Sequence, residues 1–310
     1  MHIVTASDDN YAIGVLVLIA SAIRFNPQAR FTVLTTQWSK INSAKLEQIR
    51  TRLRCEINEI EVSKALLSQF SVQRSHLTAV TYSRLFIPDL LPEDDRVIYM
   101  DSDMLVTGSL QLANDCVLDK KVVAAVRCPS PTVAFCEAID VPICDYFNAG
   151  FLVLNLALWR KEKIADACFA ALADPTCRYL SEDESALNDL ARERVAYLPA
   201  GLNFYARDNK WQAALDNPRE INVIHYASSG KPWMVPCPFH EVWLNIVAQM
   251  PELADWVQPK ETLKWRLSRL NKSRKVLFGV VLRRQKSVRS RKVRQHIIET
   301  ILPELMRRTS

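Results

Sequence analysis

This sequence predicts an α/β fold, with a mainly parallel central sheet and flanking helices. Strand-like and helix-like segments alternate from the first residues, and the apolar-leaning run Val97–Met100 leads directly into Asp101-Ser-Asp103. The chain is also large enough for a sizeable core, at 310 residues with 49% hydrophobic content.

His2–Ser7 reads as the first strand, followed by the loop Asp8-Asp-Asn-Tyr11 and an apolar helix from Ala12 to Phe25 that Asn26-Pro27 stops. Phe31–Thr36 is the second strand. Ser43–Arg54 is the second helix, with Leu46, Ile49 and Leu53 at helical spacing. Further strands are expected at Val97–Met100, Val122–Val126, Phe151–Leu156 and Ile221–His225, and helices near Thr81–Leu90, Lys161–Ala173, Glu184–Arg192 and Phe239–Gln249. Such alternation places a ligand crevice beyond the C-terminal ends of the strands.

Charge divides the chain. Residues 260–310 hold 16 Lys/Arg against 3 Asp/Glu, which leaves residues 1–259 net acidic. In this tail the basic residues are interleaved with Trp265, Leu270, Leu277 and Phe278, the pattern of a segment that lies on an anionic membrane surface. Nucleic-acid binding is excluded as the main reading, because the body is acidic and no recognised binding module is present. The eight cysteines, with no Cys-x-x-Cys pair and no zinc-ligand spacing, read as free thiols of a reducing cytosol. No basic region stands where a signal peptide would need one, and the longest apolar run, Ala12–Ile23, is too short to span a bilayer. The expected organisation is a catalytic domain over 1–258 and a membrane-association segment over 259–310. Every candidate site residue precedes 260, so removing the tail is expected to leave the chemistry intact.

In an extended segment, residues i and i+2 face the same way, so Asp101 and Asp103 can grip one divalent cation at the lip of the sheet. His225 follows another expected strand and supplies a third ligand type, and Lys231 ahead of Pro232 supplies a cation for phosphate. Gly150 in Phe147-Asn-Ala-Gly150 reads as a small-residue turn that lets backbone approach a ligand. The acidic cluster Glu182-Asp-Glu184 opens a helix, where it opposes the dipole or faces a sugar.

The order Asp8-Asp-Asn-Tyr11, Thr81-Tyr-Ser-Arg-Leu85, Tyr99-Met-Asp-Ser-Asp103, Phe147-Asn-Ala-Gly150, Asp183-Glu-Ser-Ala-Leu-Asn188, Leu198-Pro-Ala-Gly-Leu-Asn203 and His225-Tyr…Lys231-Pro-Trp233 resembles the family-8 retaining glycosyltransferases. Within that family it is most similar to the bacterial lipooligosaccharide α-1,4-galactosyltransferases, over about residues 1–240. The resemblance implies a GT-A-like nucleotide-diphospho-sugar fold. It also implies transfer of a hexose, galactose first and glucose as the alternative, from a UDP-sugar to a lipopolysaccharide or lipooligosaccharide core, at the cytoplasmic face of the inner membrane.

By the same resemblance, Ala6, Asp8 and Asn10 contact uridine, while Asp101, Asp103 and His225 bind Mn²⁺, with Mg²⁺ as the alternative. Lys231 and the Ser228 backbone meet the diphosphate. Arg84, Asn148, Ala149, Gly150 and Asp183 hold the donor sugar, and Glu184 lies beneath its anomeric carbon. His76, Leu77 and Thr78 shape the acceptor site. Two residues depart from the pattern: Glu184 stands where the close relatives carry Gln, and Ser228 where they carry Gly. The first bears on mechanism, since a carboxylate is a competent nucleophile and an amide a poor one. With Ser228 in place of Gly, Gly230 is left to make the tight turn. A metal-dependent nucleotidyltransferase is the rival enzyme class; it would release pyrophosphate instead of UDP.

Overall fold

The computed structural model of the protein describes residues 1–63, 79–174, 176, 179–207, 214, 216–227, 230–258 and 263–310. Strands β1 (His2–Asp8), β2 (Arg30–Thr36), β3 (Ile57–Glu61), β4 (Arg96–Met100), β6 (Val123–Arg127), β7 (Phe147–Asn155) and β8 (Val195–Tyr197) form one sheet in the order β3-β2-β1-β4-β7-β6-β8. All neighbours are parallel except β7, which runs antiparallel to β4 and β6. A small second sheet joins β5 (Met104–Val106), β10 (Val223–His225) and β9 (Phe204–Tyr205). The expected α/β architecture with a mainly parallel sheet is present.

Both faces of the large sheet are apolar, and the strand period sorts them. Ile98, Met100, Phe151 and Val153 belong to one core, whereas Val97, Tyr99, Leu152 and Leu154 belong to the other. The first core is covered by α1 (Ala12–Phe25) and α2 (Lys40–Leu53). The second is covered by α3 (Leu156–Glu162), α4 (Ile164–Ala173) and α5 (Glu182–Ala191). At the end of α1, the Asn26 side chain and backbone both donate to the Ala22 carbonyl, and Pro27 cannot continue the helix.

Several expectations are corrected. Thr81–Leu90 is not one α-helix but a 3-10 segment, Ala79–Phe86, followed by a short helix, Ile87–Leu90. Arg84 Nε donates to the Thr81 carbonyl at 3.0 Å, so a side chain takes the acceptor that a regular helix would use. Lys161–Ala173 divides at Lys163, whose φ is 54°. Helix α2 starts three residues before the expected Ser43 because Ser39 caps it. Phe147–Gly150 is the first part of β7, so Gly150 sits inside a strand and not in a turn.

The tail also differs from a separable segment. α7 (Leu263–Val281) and α8 (Gln285–His296) lead through a π-helical turn, Ile297–Ile301, into α9 (Leu302–Thr309). Val293, Ile297, Ile301 and Leu305 join the first core, beside Val242 and Ile246 of α6 (His240–Val247). Arg308 donates to the Ile221 carbonyl at 3.1 Å, just ahead of β10, and Asn245 donates to Thr309 Oγ1 at 3.2 Å. Packing therefore crosses the expected boundary at 258/259. Removal of residues 260–310 would strip apolar side chains out of the core, against the expectation that the chemistry survives it.

Candidate active site and metal centre

The small sheet assembles the site. Met104 of β5 pairs with His225 of β10, and Tyr226 N donates to the Asp103 carbonyl at 3.0 Å, so His225 arrives beside Asp103 across 122 positions of chain. On the other side, β4 pairs with β7 through Met100 and Phe151, and Asp101 N donates to the Gly150 carbonyl at 2.8 Å. Gly14 of α1 lets the helix approach the same loop: a Cβ there would lie 2.4 Å from the Ser102 carbonyl oxygen.

Asp101, Asp103 and His225 each offer one ligand atom, all within 4.8 Å of one another. Asp101 Oδ1 accepts from the Tyr99 hydroxyl at 3.0 Å and lies 3.3 Å from Arg84, while Oδ2 lies 3.9 Å from His225 Nε2. Asp103 Oδ1 is 3.2 Å from the same nitrogen, and Oδ2 takes Lys231 Nζ. Burial works to raise the Asp103 carboxyl, but Lys231 and His225 overcome it and hold the group well below the usual carboxylate range. Burial likewise lowers Lys231, and Asp103 more than reverses this, so the ammonium titrates above its ordinary value.

The polarity of a hydrogen-bond chain fixes the histidine tautomer. Four donors meet the Glu184 carboxylate: Tyr146 Oη and Ser181 Oγ at 3.1 Å each, Asn148 Nδ2 at 2.7 Å and Ala149 N at 3.0 Å. Since Asn148 Nδ2 donates there, its Oδ1 accepts from Asn203 Nδ2 at 2.9 Å. Asn203 Oδ1 is then left to accept from His225 Nδ1 at 2.8 Å. In the neutral ring Nε2 turns its lone pair toward two carboxylates, an arrangement that suits a cation and repels without one. Gly150 completes the cradle, because a Cβ there would stand 2.6 Å from both Asp101 Oδ2 and His225 Cε1. These residues fit a divalent metal.

Helix α5 carries the remaining carboxylates. Asn188 clips it to the backbone of β7, its side chain accepting from Phe147 N and donating to Phe147 O, both at 2.9 Å. That places Glu184, one turn earlier, under Asn148 and Ala149. Glu182, at φ 54°, adopts a strained left-handed conformation where the chain enters the helix. Asp183 is buried with its Oδ2 2.9 Å from Arg84 Nε. Burial pushes its carboxyl up to about 7, against the pull of Arg84. Arg84 is further held by the Ala149 carbonyl and lies 4.7 Å over the Tyr99 ring.

A cleft of about 750 Å³ joins these groups. Ala6, Asp8, Arg84, Asp101, Asp103, Asn148, Ala149, Gly150, Asp183, Glu184, His225 and Lys231, all candidates from the sequence, line it together. Asn10 is exposed and outside the lining. His76, Leu77, Thr78 and Ser228 lie outside the described residues. Asp8 also caps its own turn, accepting from Asn10 N and Tyr11 N at 3.0 and 3.2 Å.

A family model described as glycosyl transferase family 8 matches residues 2–235. The chain belongs to this family. A solved structure of the galactosyltransferase LgtC, in complex with donor and acceptor sugar analogs, superposes with a TM-score of 0.69 at 26% identity, covering 86% of this chain and 99% of that one. The fold of this family-8 glycosyltransferase is accordingly of the GT-A type. Glycosyltransferase GlyB of Streptococcus pneumoniae serotype 4 is 30% identical over 78% of this chain. Lipopolysaccharide 1,3-galactosyltransferase of Salmonella typhimurium is 27% identical over 73% of this chain and 71% of its own length. The chain spans only 60% of GlyB.

Sequence reasoning gave no role to Tyr99, Tyr146, Ser181, Asn188 or Asn203. Tyr99, Asn188 and Asn203 stand inside the family-like motifs, and that position was the one available signal.

Proposed function

We propose that this family-8 glycosyltransferase is a Mn²⁺-dependent retaining enzyme. It transfers galactose from UDP-galactose to a lipopolysaccharide or lipooligosaccharide core acceptor at the cytoplasmic face of the inner membrane, with UDP-glucose as the alternative donor. The observation that carries the reading is one cleft in which Asp101, Asp103 and His225, three groups placed to hold a metal, lie between Lys231 and the Arg84–Asp183–Glu184 group. The similarity to lipopolysaccharide 1,3-galactosyltransferase supports the choice of sugar and acceptor.

In this reading Asp101, Asp103 and His225 hold the metal, which when bound neutralises the diphosphate of the departing UDP. Lys231, kept charged by Asp103, adds a second positive group on that diphosphate. Ala6 and Asp8 receive uridine at the C-terminal end of β1. Arg84, pinned by Asp183, orients the sugar together with Asn148 and Gly150. Glu184 presents negative charge to the positive charge that develops at the anomeric carbon. With four hydrogen bonds already on its oxygens, it is held as an electrostatic stabiliser. α7 rests on the anionic membrane surface.

The test is a screen of UDP-sugars for Mn²⁺-dependent hydrolysis, with UDP assayed as product. UDP-galactose should be cleaved fastest, and excess EDTA should stop the reaction. Release of pyrophosphate from nucleoside triphosphates, with no UDP from any sugar nucleotide, would replace the reading with a nucleotidyltransferase.

A further inference from the structure

A nucleotide and its diphosphate account for only one end of the cleft. Tyr11 follows the Asp8 turn and packs edge-on against Trp233 at 5.4 Å, whereas the Tyr205 hydroxyl lies 3.6 Å from Cys128 Sγ. Tyr11 therefore belongs with Asp8 at the end assigned to uridine, and Tyr205 with Cys128 at another part of the cleft, beside His225. There the lining is Cys128, Ser130, Thr132, Phe135, Tyr205 and Arg207. The Tyr205 ring stands edge-on to the His225 imidazole at 5.4 Å, and the Arg207 guanidinium lies over the same ring, 4.8 Å from its centroid. Arg207 is thus two ring contacts from a metal ligand and lines the same cleft.

Among the described residues its bonding is incomplete for a guanidinium. Arg207 Nη1 donates to Ser130 Oγ at 2.6 Å, and among the described residues no carboxylate pairs with it. Other arginines of the region are neutralised. Arg84 has Asp183 at 2.9 Å, and Arg127, which stacks on Tyr197 at 3.5 Å, has Asp145 at 3.5 Å. Stacking on a ring and a bond to Ser130 fix the plane of Arg207, so the remaining donors form a pre-oriented fork. Such a fork matches an oxyanion; it offers no acceptor to a neutral sugar hydroxyl. Ser130 and Thr132 add hydroxyl groups beside it.

We propose that the far end of the cleft reads an anionic substituent, a phosphate or a carboxylate, on the acceptor sugar, with Arg207 as its clamp. The proposal rests on the reading of the cleft as a UDP-sugar transferase site and names a class of acceptor for it.

The test uses the full chain saturated with UDP and Mn²⁺, so that the metal cluster and Lys231 are already covered. Glucose 6-phosphate, glucuronic acid and glucose are then titrated calorimetrically. At least one anionic sugar should bind roughly tenfold more tightly than glucose, the effect of one charge-assisted hydrogen bond. Phosphate alone, carboxylate alone or both carry this preference, and the two arms tell them apart. Arg207→Gln should reduce the preferred probe to the level of glucose, and Arg207→Lys should keep part of the preference but lose the bidentate geometry. UDP affinity should stay the same in all three proteins. Equal binding of the three sugars, or a preference that survives Arg207→Gln, overturns the proposal. Failure of UDP itself to bind in the presence of Mn²⁺ overturns the nucleotide-sugar reading, and this proposal with it.

Discussion

Asn203 touches no proposed substrate group, yet it decides which nitrogen of His225 faces Asp101 and Asp103. Asn203→Ala should weaken Mn²⁺ binding by roughly 10–100-fold, the usual effect of removing a partner behind a ligating histidine. Binding titrations read this directly, and an unchanged affinity would remove Asn203 from the site. Asp183 gives a pH dependence. Its carboxyl titrates at about 7, being protonated below and ionised above, and the ionised form is the one that pairs with Arg84. Donor hydrolysis should therefore fall as pH drops through about 7, and Asp183→Asn should show a low rate without that acid limb. The metal ligands were legible because two carboxylates directly after a buried strand have a chemical meaning before any fold is known, although Asp101-Ser102-Asp103 is not extended as expected but turns between β4 and β5, with Met104 N donating to the Asp101 carbonyl at 3.2 Å. Asn203 was not, since its role depends on a chain of amides that begins at Glu184 and exists only after β7, α5 and β10 have come together.

At the scale of elements, long apolar strands and helices were readable from period alone, and the misses have specific causes. β3 lies at the sheet edge and is largely solvated, so it lacks an apolar pattern, while β5, β8 and β9 are two or three residues long and have no period to detect. β5 matters most of these, because its pairing with β10 carries His225 to Asp103. The end of the tail was misread for a related reason. Basic residues dominate its composition, whereas Ile297, Ile301 and Leu305 are isolated apolar positions that acquire meaning only against α6. Ile301→Ala and Leu305→Ala should each destabilise the fold by about 2–5 kcal/mol, the range for large-to-small changes in a core. Denaturant melts measure this. Melts that match the parent protein for both variants would show that the last helix is not part of the core, and deletion of residues 260–310 should accordingly lose stability together with donor hydrolysis.

The molecule as a whole separates its charges, with the basic residues gathered on the helices that follow an acidic catalytic body. Among the described residues no helix is long and apolar enough to cross a membrane. α7 nevertheless exposes Leu267, Leu270, Leu277, Phe278 and Val281 by 51–71%, between exposed Arg266, Arg274 and Lys275. A helix with apolar and cationic groups both open to solvent suits an anionic interface, where each basic residue near the surface contributes about 1 kcal/mol and the attraction weakens with salt. Since α9 is anchored in the core, α7 is tied to the body at both ends, and contact through α7 would hold the catalytic cleft close to a lipid-borne acceptor. Deletion cannot test this, because it removes core residues as well. A triple change on the exposed positions, Leu270→Ser, Leu277→Ser and Phe278→Ser, leaves Ile297, Ile301 and Leu305 in place. The intact protein should float with anionic liposomes at low salt and be released at high salt. The triple variant should stay in the heavy fraction while hydrolysing UDP-galactose at the parent rate. Equal flotation of the two proteins, or none for the intact chain at low salt, would mean that α7 is not the membrane contact.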